Sequence, residues 1–295
     1  MKVGVFGGAG FLGSYLVETL VSKGHETICM DLRHGEDYGA KFIKIDILDK
    51  DAVSKICEKE KFDAVYNLAG FANLDKAIQN PTSTIELNII GNLNILEACR
   101  VNKVSHYLYA SSAYAVSSKG SFYGISKLAS EKIIKEYGLR YGMNFTILRY
   151  GSVYSERDFE NNYIFNLVRE AMETGKIVHH GDGEEQREYI HAMDAAALSV
   201  DVLNKKDFFG KHIILTGADR FRRIDLFRMI AEISNIPIEI SLQDDGYANH
   251  YKHTPYAFAP EVSQRLVPNP FIDMGQGILS CFNQVHIQQS NNLDK

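Results

Sequence analysis

The feature that most constrains the fold is a glycine turn near the start of the chain. A short apolar run at 2–6 leads directly into Gly7, Gly10 and Gly13, and apolar residues then recur at helical spacing over 11–23. A glycine pattern placed between a strand and a helix is typical of dinucleotide binding. The first glycine permits the tight turn, the second lets backbone approach a pyrophosphate, and the third lets the helix pack against the strand.

The helix after this turn begins with Phe11 and Leu12. Phosphates bind well at the positive end of a helix. We therefore expect Gly7, Gly10, Phe11 and Leu12 to contact the cofactor.

The ends of the next strands indicate the kind of dinucleotide. The strand at 26–30 ends in Asp31, where a carboxylate accepts hydrogen bonds from the adenosine ribose and repels a 2′-phosphate. Arg33 follows two residues later and partly offsets that repulsion. The pattern favours NAD and leaves NADP open.

Two later strand ends complete the predicted cofactor site. Asp46 and Ile47 follow the strand at 41–45 and are placed to reach the adenine. After the strand at 63–67 the chain should run along the cofactor, with contacts from Leu68, Ala69 and Gly70.

Strand and helix patterns alternate along the first part of the chain. This alternation predicts an α/β fold with a Rossmann-type, doubly wound parallel sheet. After about residue 150 the pattern loosens into short strands mixed with helices, which predicts a smaller C-terminal substrate lobe. We expect residues 1–175 to form the NAD-binding domain, with 190–220 returning to it, and 176–295 to form mainly the lobe.

Composition limits the class of partner. The net charge of −5 argues against a nucleic acid or an anionic membrane surface. No apolar stretch reaches the length of a membrane span, and the chain starts as a strand, so we expect no signal peptide. The four cysteines lie far apart without metal-type spacing and indicate buried thiols in a reducing cytoplasm. We expect a cytoplasmic protein without a metal.

A second motif lies about a hundred residues after the glycines. Tyr123 and Lys127 are four residues apart on a predicted helix and share one face. The strand at 104–110 leads into Ser111 and Ser112, at the edge of the sheet where ligands bind.

The residue types at this edge suit hydride transfer at an alcohol carbon. An ammonium beside a phenol stabilises the phenolate. The phenolate of Tyr123 can take the proton from a substrate hydroxyl while hydride leaves the same carbon for a nicotinamide. Ser112 would hydrogen-bond the oxygen as the alcohol becomes a ketone. We predict Ser112, Tyr123 and Lys127 as catalytic residues, with Tyr123 and Lys127 also in contact with the cofactor.

These motifs, in this order, resemble the extended branch of the short-chain dehydrogenase/reductase superfamily, the NAD-dependent nucleotide-sugar epimerases and dehydratases. The resemblance runs from residue 1 to about residue 200. Further segments that carry it are Pro81 to Arg100 with Asn88, Gly91 and Asn94, then Leu148-Arg149-Tyr150, Val153-Tyr154, Gly181-Asp182-Gly183 and Arg187-Glu188-Tyr189-Ile190-His191. The resemblance implies that Asn88 and Tyr150 lie at the cofactor and that Arg187 binds the diphosphate of a sugar nucleotide. It also implies a homodimer through helices 81–102 and 121–142.

The sequence departs from the family at the substrate end. Ser152 stands where the family commonly has Asn beside the nicotinamide. Ser112 and Tyr123 are only eleven positions apart, whereas related enzymes carry a longer loop folded over the substrate. We place Ala113, Tyr114 and Ser152 with Arg187 among the expected substrate contacts. The C-terminal third matches poorly, so no contact is carried over from it.

The residues after the serine pair narrow the reaction. Family 4,6-dehydratases carry an Asp-Glu pair there, decarboxylases a Glu and 3,5-epimerase/reductases a Cys, whereas this chain has Ala113-Tyr114. Two reactions remain: 4-epimerisation through a transient ketone, which we favour, and net oxidation or reduction of one hydroxyl by a sugar dehydrogenase or keto-reductase. A non-catalytic NAD sensor is the third alternative, and the intact Tyr123 and Lys127 argue against it.

Overall fold

An eight-stranded sheet, parallel throughout, lies at the centre of the molecule. The structure is a computed structural model that describes residues 1–243, residue 252 and residues 264–293. The strands of this sheet are β1 (Lys2–Phe6), β2 (Glu26–Asp31), β3 (Lys41–Lys44), β4 (Ala64–Asn67), β5 (His106–Ser112), β6 (Phe145–Tyr150), β10 (Lys211–Leu215) and β13 (Gln264–Leu266). Their spatial order is β3-β2-β1-β4-β5-β6-β10-β13. The predicted Rossmann-type α/β fold is confirmed.

Helices cover both faces of the sheet. In chain order they are α1 (Phe11–Ser22), α2 (Lys50–Glu60), α3 (Leu74–Gln79), α4 (Pro81–Ile85), α5 (Asn92–Val101), α6 (Ser121–Tyr141), α7 (Tyr163–Thr174), α8 (Ala192–Asp201), α9 (Arg223–Ser234) and α10 (Met274–Leu293). Helices α1 and α8 pack over one apolar face, and α2, α5 and α6 pack over the other. Within the described residues, no helix has both the length and the apolar character that crossing a membrane requires.

A second, smaller core lies beside the carboxyl end of the sheet. Its strands are β7 (Ser152–Tyr154), β8 (Lys176–His180), β9 (Gln186–His191), β11 (Arg220–Arg222) and β12 (Glu239–Gln243). Strands β7, β9 and β11 form one small sheet, and β8 and β12 form another. Apolar side chains from α7, α9 and α10 fill the space between them. The chain leaves this core twice, and β10 and β13 extend the large sheet beyond β6.

The helix predicted over 81–102 is divided in the structure. Helix α4 ends at Ile85, a π-helical segment spans Glu86–Gly91, and α5 begins at Asn92. A π-helical turn inserts one extra residue into the helical repeat and so changes which side chains face inward. Here it buries the amide side chain of Asn88.

The glycine turn joins β1 closely to the loop after β4. Gly7 has φ +78°, and a Cβ atom there would lie 2.5 Å from the backbone nitrogen of Ala69. A Cβ atom on Gly13 would lie 2.0 Å from the carbonyl oxygen of Gly7. Only glycine permits these approaches. The turn, the start of α1 and the loop after β4 therefore meet at backbone distance.

Candidate active site

The cleft lies at the carboxyl end of the sheet, between β1 and β4. Strands β2 and β3 lie on one side of this point, and the chain then returns to add β4, β5 and β6 on the other side. Ligands bind at such switch points in open α/β sheets. The cleft has an empty volume of about 1400 Å³, its open mouth included. The predicted site residues that line it are Gly7, Gly10, Phe11, Leu12, Asp31, Ile47, Leu68, Ala69, Gly70, Ser112, Tyr123, Lys127 and Tyr150.

The end of the cleft beside β1 fits a pyrophosphate. Gly10 caps the N-terminus of α1 without a side chain, so the first helical N–H groups are accessible. Asp31 at the end of β2 accepts hydrogen bonds from the backbone of Ala9 at 3.1 Å and of Leu32 at 2.7 Å. Its carboxylate therefore orders the glycine turn from the position predicted for the ribose contact.

Two predicted cofactor residues do not line the cleft. Asp46 is exposed, and its carboxylate accepts a hydrogen bond from the backbone of Leu48 at 2.9 Å. The buried amide of Asn88 accepts from the Phe71 backbone N–H at 2.7 Å and donates to the Phe71 carbonyl at 3.0 Å and to Ser126 Oγ at 2.8 Å. Asn88 thus fixes the loop after β4 against α6 from behind.

The three predicted catalytic residues converge on the other end of the cleft. Tyr123 and Lys127 lie in the first half of α6, and Ser112 ends β5. The ammonium nitrogen of Lys127 lies 5.9 Å from the centre of the Tyr123 ring and donates to the carbonyl of Ala110 at 2.9 Å. Ser112 Oγ accepts from the backbone N–H of Tyr114 at 3.2 Å, so its hydroxyl proton can be donated to a ligand.

Burial changes the protonation equilibrium of Lys127. Its side chain is 5% exposed. Loss of solvent lowers the pKa of the ammonium to about 8, although the carboxylate of Glu131, one helical turn later, acts to raise it. Lys127 is therefore still mostly charged at neutral pH and loses its proton at mildly alkaline pH.

The short loop between Ser112 and Tyr123 is packed onto α6. Ala113 and Tyr114 begin a 3₁₀ turn. A Cβ atom on Gly120 or Gly124 would lie 2.7 Å or 2.6 Å from the Tyr114 carbonyl oxygen. The Tyr114 ring meets the Tyr123 ring edge to face at 6.2 Å. These contacts place Tyr114 beside the predicted acid/base.

The two other predicted substrate residues lie in the small three-stranded sheet. Ser152 is in β7 and Arg187 is in β9. Neither lines the cleft. Arg187 is 2% exposed and donates to the carbonyl of Gln186 at 2.9 Å.

A strap formed by residues 156–161 crosses beside the cofactor end of the cleft, and the sequence analysis did not identify it. The guanidinium carbon of Arg157 lies 3.7 Å from the centre of the Tyr15 ring and 4.6 Å from that of Tyr38. Arg157 also donates to Ser14 Oγ at 2.9 Å and pairs with Glu18. The strap is therefore anchored along α1.

The far end of the strap reaches the opposite side of the cleft. The Phe159 ring packs against Phe11 at 5.6 Å, Glu160 pairs with Lys76 of α3, and Asn161 lines the cleft. Helix α3 follows β4, whereas α1 follows β1, so the strap contacts both walls. This segment is neither helix nor strand, so its sequence shows no periodic pattern from which its contacts could be predicted.

A Glu–His pair, in which the imidazole is buried and the carboxylate is partly exposed, ties the strap to the smaller core. Glu156 Oε1 accepts from the Tyr15 hydroxyl at 2.8 Å, and Oε2 lies 2.9 Å from His191 Nε2. Met193 N–H donates to His191 Nδ1 at 3.2 Å, which leaves Nε2 as the donor. Burial alone would raise the pKa of Glu156, but the hydrogen bonds from His191 and Tyr15 hold it at about 2.

The part of the chain that the structure describes contains no group of three or more His, Cys, Asp or Glu side chains able to hold a metal ion. The four cysteines are buried thiols.

The geometry is that of a dinucleotide cleft with a Ser/Tyr/Lys set at one end, and comparison with known proteins gives the family. The model of the NAD-dependent epimerase/dehydratase family matches residues 3–216. The chain belongs to this family. NAD is accordingly the cofactor, and the predicted family and cofactor are confirmed.

Similar proteins include several epimerases. The chain is 31% identical over 225 residues to a putative UDP-glucose 4-epimerase of Methanocaldococcus jannaschii, covering 69% of this chain and 73% of that protein. It is 28% identical to a UDP-glucose 4-epimerase of Lactobacillus helveticus, covering 82% and 84%. The crystal structure of a UDP-glucose 4-epimerase of Thermotoga maritima with UDP-glucose superposes with a TM-score of 0.83 at 21% identity, covering 98% of this chain and 100% of that one.

The lowered pKa of Lys127 predicts an effect on stability. The unfolded chain binds the lysine proton more tightly than the fold, so at pH 7 the buried ammonium opposes folding. We expect nucleotide-free Lys127→Met protein to have a free energy of unfolding about 1–3 kcal/mol above that of wild type at pH 7. The advantage should shrink above pH 8, where the wild-type side chain loses its charge.

Denaturant titrations at pH 7 and pH 9.5 measure this difference. Lys132→Met, at an exposed position of the same helix, is the control and should change the free energy of unfolding by less than about 0.5 kcal/mol. A Lys127→Met difference that is the same at both pH values would contradict the prediction.

Proposed function

We propose that this protein is an NAD-dependent nucleotide-sugar 4-epimerase that acts through a transient 4-keto sugar. The observation that carries the proposal is the convergence of Ser112, Tyr123 and Lys127 on the cleft that also holds the glycine turn. Asp31, at the far end, is the one carboxylate among the described residues that line this cleft. Elimination of water from a sugar needs an acid/base group near the reacting carbons, so this lining favours simple hydride exchange.

The residues present suit the cofactor and the first chemical step. The glycine turn and the N-terminus of α1 would hold the pyrophosphate, and Lys127 the nicotinamide ribose. NAD supplies a hydride acceptor at the sugar end of the cleft. Tyr123, as phenolate beside the Lys127 ammonium, would take the proton of the 4-hydroxyl, while Ser112 donates a hydrogen bond to the same oxygen.

Return of the same proton and hydride completes an epimerisation. Tyr123 gives its proton back to the 4-oxygen, and hydride adds to the opposite face of carbon 4. The sugar must turn over between the two steps, which requires space around carbon 4. The loop that ends at Tyr123 is short and packs onto α6, so among the described residues it forms no long flap at this position.

The relatives support a substrate class. The named proteins at 31% and 28% identity carry UDP-glucose in their names. We take a nucleotide sugar as the substrate, with Ser152 and Tyr114 near the sugar. Arg187 of β9 is our candidate for the diphosphate, and because it is 2% exposed, binding would require its guanidinium to become accessible.

Epimer exchange tests the proposal directly. Purified protein incubated with UDP-glucose, UDP-N-acetylglucosamine or UDP-glucuronic acid should convert at least one of them to its 4-epimer without net NADH. Tyr123→Phe removes the proton acceptor and should lower the rate by about 10²–10⁴-fold. Tyr141→Phe, an exposed tyrosine on the same helix, is the matched control and should leave it unchanged.

The alternative activity predicts a different product. A sugar dehydrogenase or keto-reductase would form or consume one NADH per sugar, which absorbance at 340 nm records. If NADH changes in this way and no sugar yields its 4-epimer, the protein is a dehydrogenase or keto-reductase and the epimerase proposal is wrong.

The strap generates a prediction about cofactor retention. An epimerase recovers its own hydride, so it has no need to exchange cofactor at each turnover. Arg157→Leu removes the contacts to Tyr15, Tyr38 and Glu18 and should speed NAD release by about tenfold or more, because the strap loses its anchor on α1. Stopped-flow exchange of bound NADH against excess NAD measures the rate. Arg140→Leu, remote on the C-terminal turn of α6, serves as control, and equal release rates in both variants would contradict a retaining strap.

We also propose a homodimer through the helices at 81–102 and 121–142, which lie on one face of the sheet. Ile90, Ile125 and Leu139 are exposed apolar side chains on this surface, with exposed fractions of 46%, 62% and 80%. Burial of such side chains in a twofold interface is favourable. Sedimentation at micromolar concentration should give about twice the mass of the 33.2 kDa chain, and Ile125→Asp should shift it to the monomer. A monomeric wild type would exclude the dimer.

The cytoplasmic location stays a prediction.

A further inference from the structure

A buried carboxylate lies directly behind the Ser/Tyr/Lys set, and the proposed reaction does not use it. Glu131 follows Lys127 by one helical turn on α6, so the two side chains share a face of the helix. Its side chain is 2% exposed. A charge at such depth is costly unless other groups compensate it.

Three strands contact this one carboxylate. Oε1 accepts from Ser111 Oγ of β5 at 2.6 Å and from Arg149 Nε of β6 at 2.9 Å. Oε2 accepts from Arg149 Nη2 at 2.7 Å and lies 3.4 Å from His212 Nε2 of β10. Helix α6 is therefore fastened to β5, β6 and β10 at a single point.

The carboxylate is ionised. Burial alone would raise the pKa of Glu131, but the hydrogen bonds from Arg149 and His212 hold it at about 2. An apolar pair of similar volume would fill the same space at little or no loss of stability. The charge therefore calls for a role besides packing.

The place of Glu131 relative to the site gives that role. Its partner Ser111 precedes Ser112 on β5, and Lys127 holds the carbonyl of Ala110 on the same strand. The described titratable and charged groups that face Lys127 are Tyr123 and Glu131 from α6 and Tyr109 from β5. The centre of the Tyr109 ring lies 4.9 Å from the ammonium. Arg149 from β6 and His212 from β10 lie behind Glu131. Glu131 is the negatively charged member of this set.

We infer that Glu131 is a positioning residue for the Ser112/Tyr123/Lys127 set, which fixes α6 against the end of β5 and keeps the Lys127 ammonium charged at the pH of catalysis. The inference rests on the proposed function for the meaning of the Lys127 charge. The electrostatic coupling of Glu131 to Lys127 does not depend on which reaction the site catalyses.

The coupling is measured on the NAD-bound protein by the titration of Lys127. Protein carrying ¹³Cε-labelled lysine gives an NMR signal for each side chain, and loss of one signal in Lys127→Arg assigns it. In Glu131→Gln the amide oxygen can still accept from Ser111, but the negative charge is gone. We expect the Lys127 midpoint to fall by about 0.5–1 pH unit relative to wild type. Glu136→Gln, an exposed carboxylate on the same helix, should leave the midpoint in place.

A second variant covers the case in which Glu131→Gln does not fold around Arg149 once its carboxylate partner is lost. The double variant Glu131→Gln/Arg149→Met removes both buried charges, an exchange that proteins often tolerate. Because Glu131 is on the same helical face as Lys127 and Arg149 lies behind it, the midpoint should still fall, by less than in the single variant. A midpoint at or above the wild-type value in the folded variant overturns the inference.

The titration separates this inference from the proposed function. The NMR titration is carried out without sugar, so the Lys127 midpoint can be interpreted even if the protein forms no 4-epimer. Where epimerisation is measured, the alkaline limb of the rate profile should move to lower pH in Glu131→Gln by the same interval. A purely structural loss would lower the rate at every pH without moving that limb.

Discussion

The close approach of the β1 turn to its neighbours is the constraint on which the rest of the structure depends. Atoms added at Gly7 or Gly13 would overlap backbone of the loop after β4 or of the turn itself. The start of α1 and the end of β4 can therefore stand next to each other at the switch point of the sheet. The cleft, with its pyrophosphate end and its Ser/Tyr/Lys end, is the space above this contact.

Polar side chains that bridge separate elements set the geometry around that cleft. Asn88 holds the loop after β4, Glu131 holds the helix of Tyr123, and Glu156 joins the strap to His191. The Asn88 amide accepts from the loop through its oxygen and donates to α6 through its nitrogen. Each of the two carboxylates accepts from partners on different elements. A buried polar group with all its partners has one favourable arrangement, so such groups define the geometry more sharply than apolar packing does.

The sequence predicts what depends on local spacing. The glycine turn, the four-residue interval between Tyr123 and Lys127 and the alternation of strands and helices follow from periodicity, and the sheet and cleft agree with them. Contacts between distant residues carry no such signal: Tyr15 and Glu156 are 141 positions apart. The π-helical segment at Asn88 reads as ordinary helix, because its turn differs by one residue. Strands of three residues, such as β7 and β11, are too short for an alternating pattern.

The packing of the Tyr114 carbonyl against Gly120 and Gly124 has a consequence for how such a site changes during evolution. Any larger side chain at either glycine would push the turn away from the helix that carries the phenol. The chemical end of the cleft is therefore closed to gradual variation by single substitutions. Side chains of the smaller core, such as those of β7 and β9, lie outside this contact and can vary without displacing the turn. The contact therefore fixes one end of the cleft and leaves the smaller core free to change.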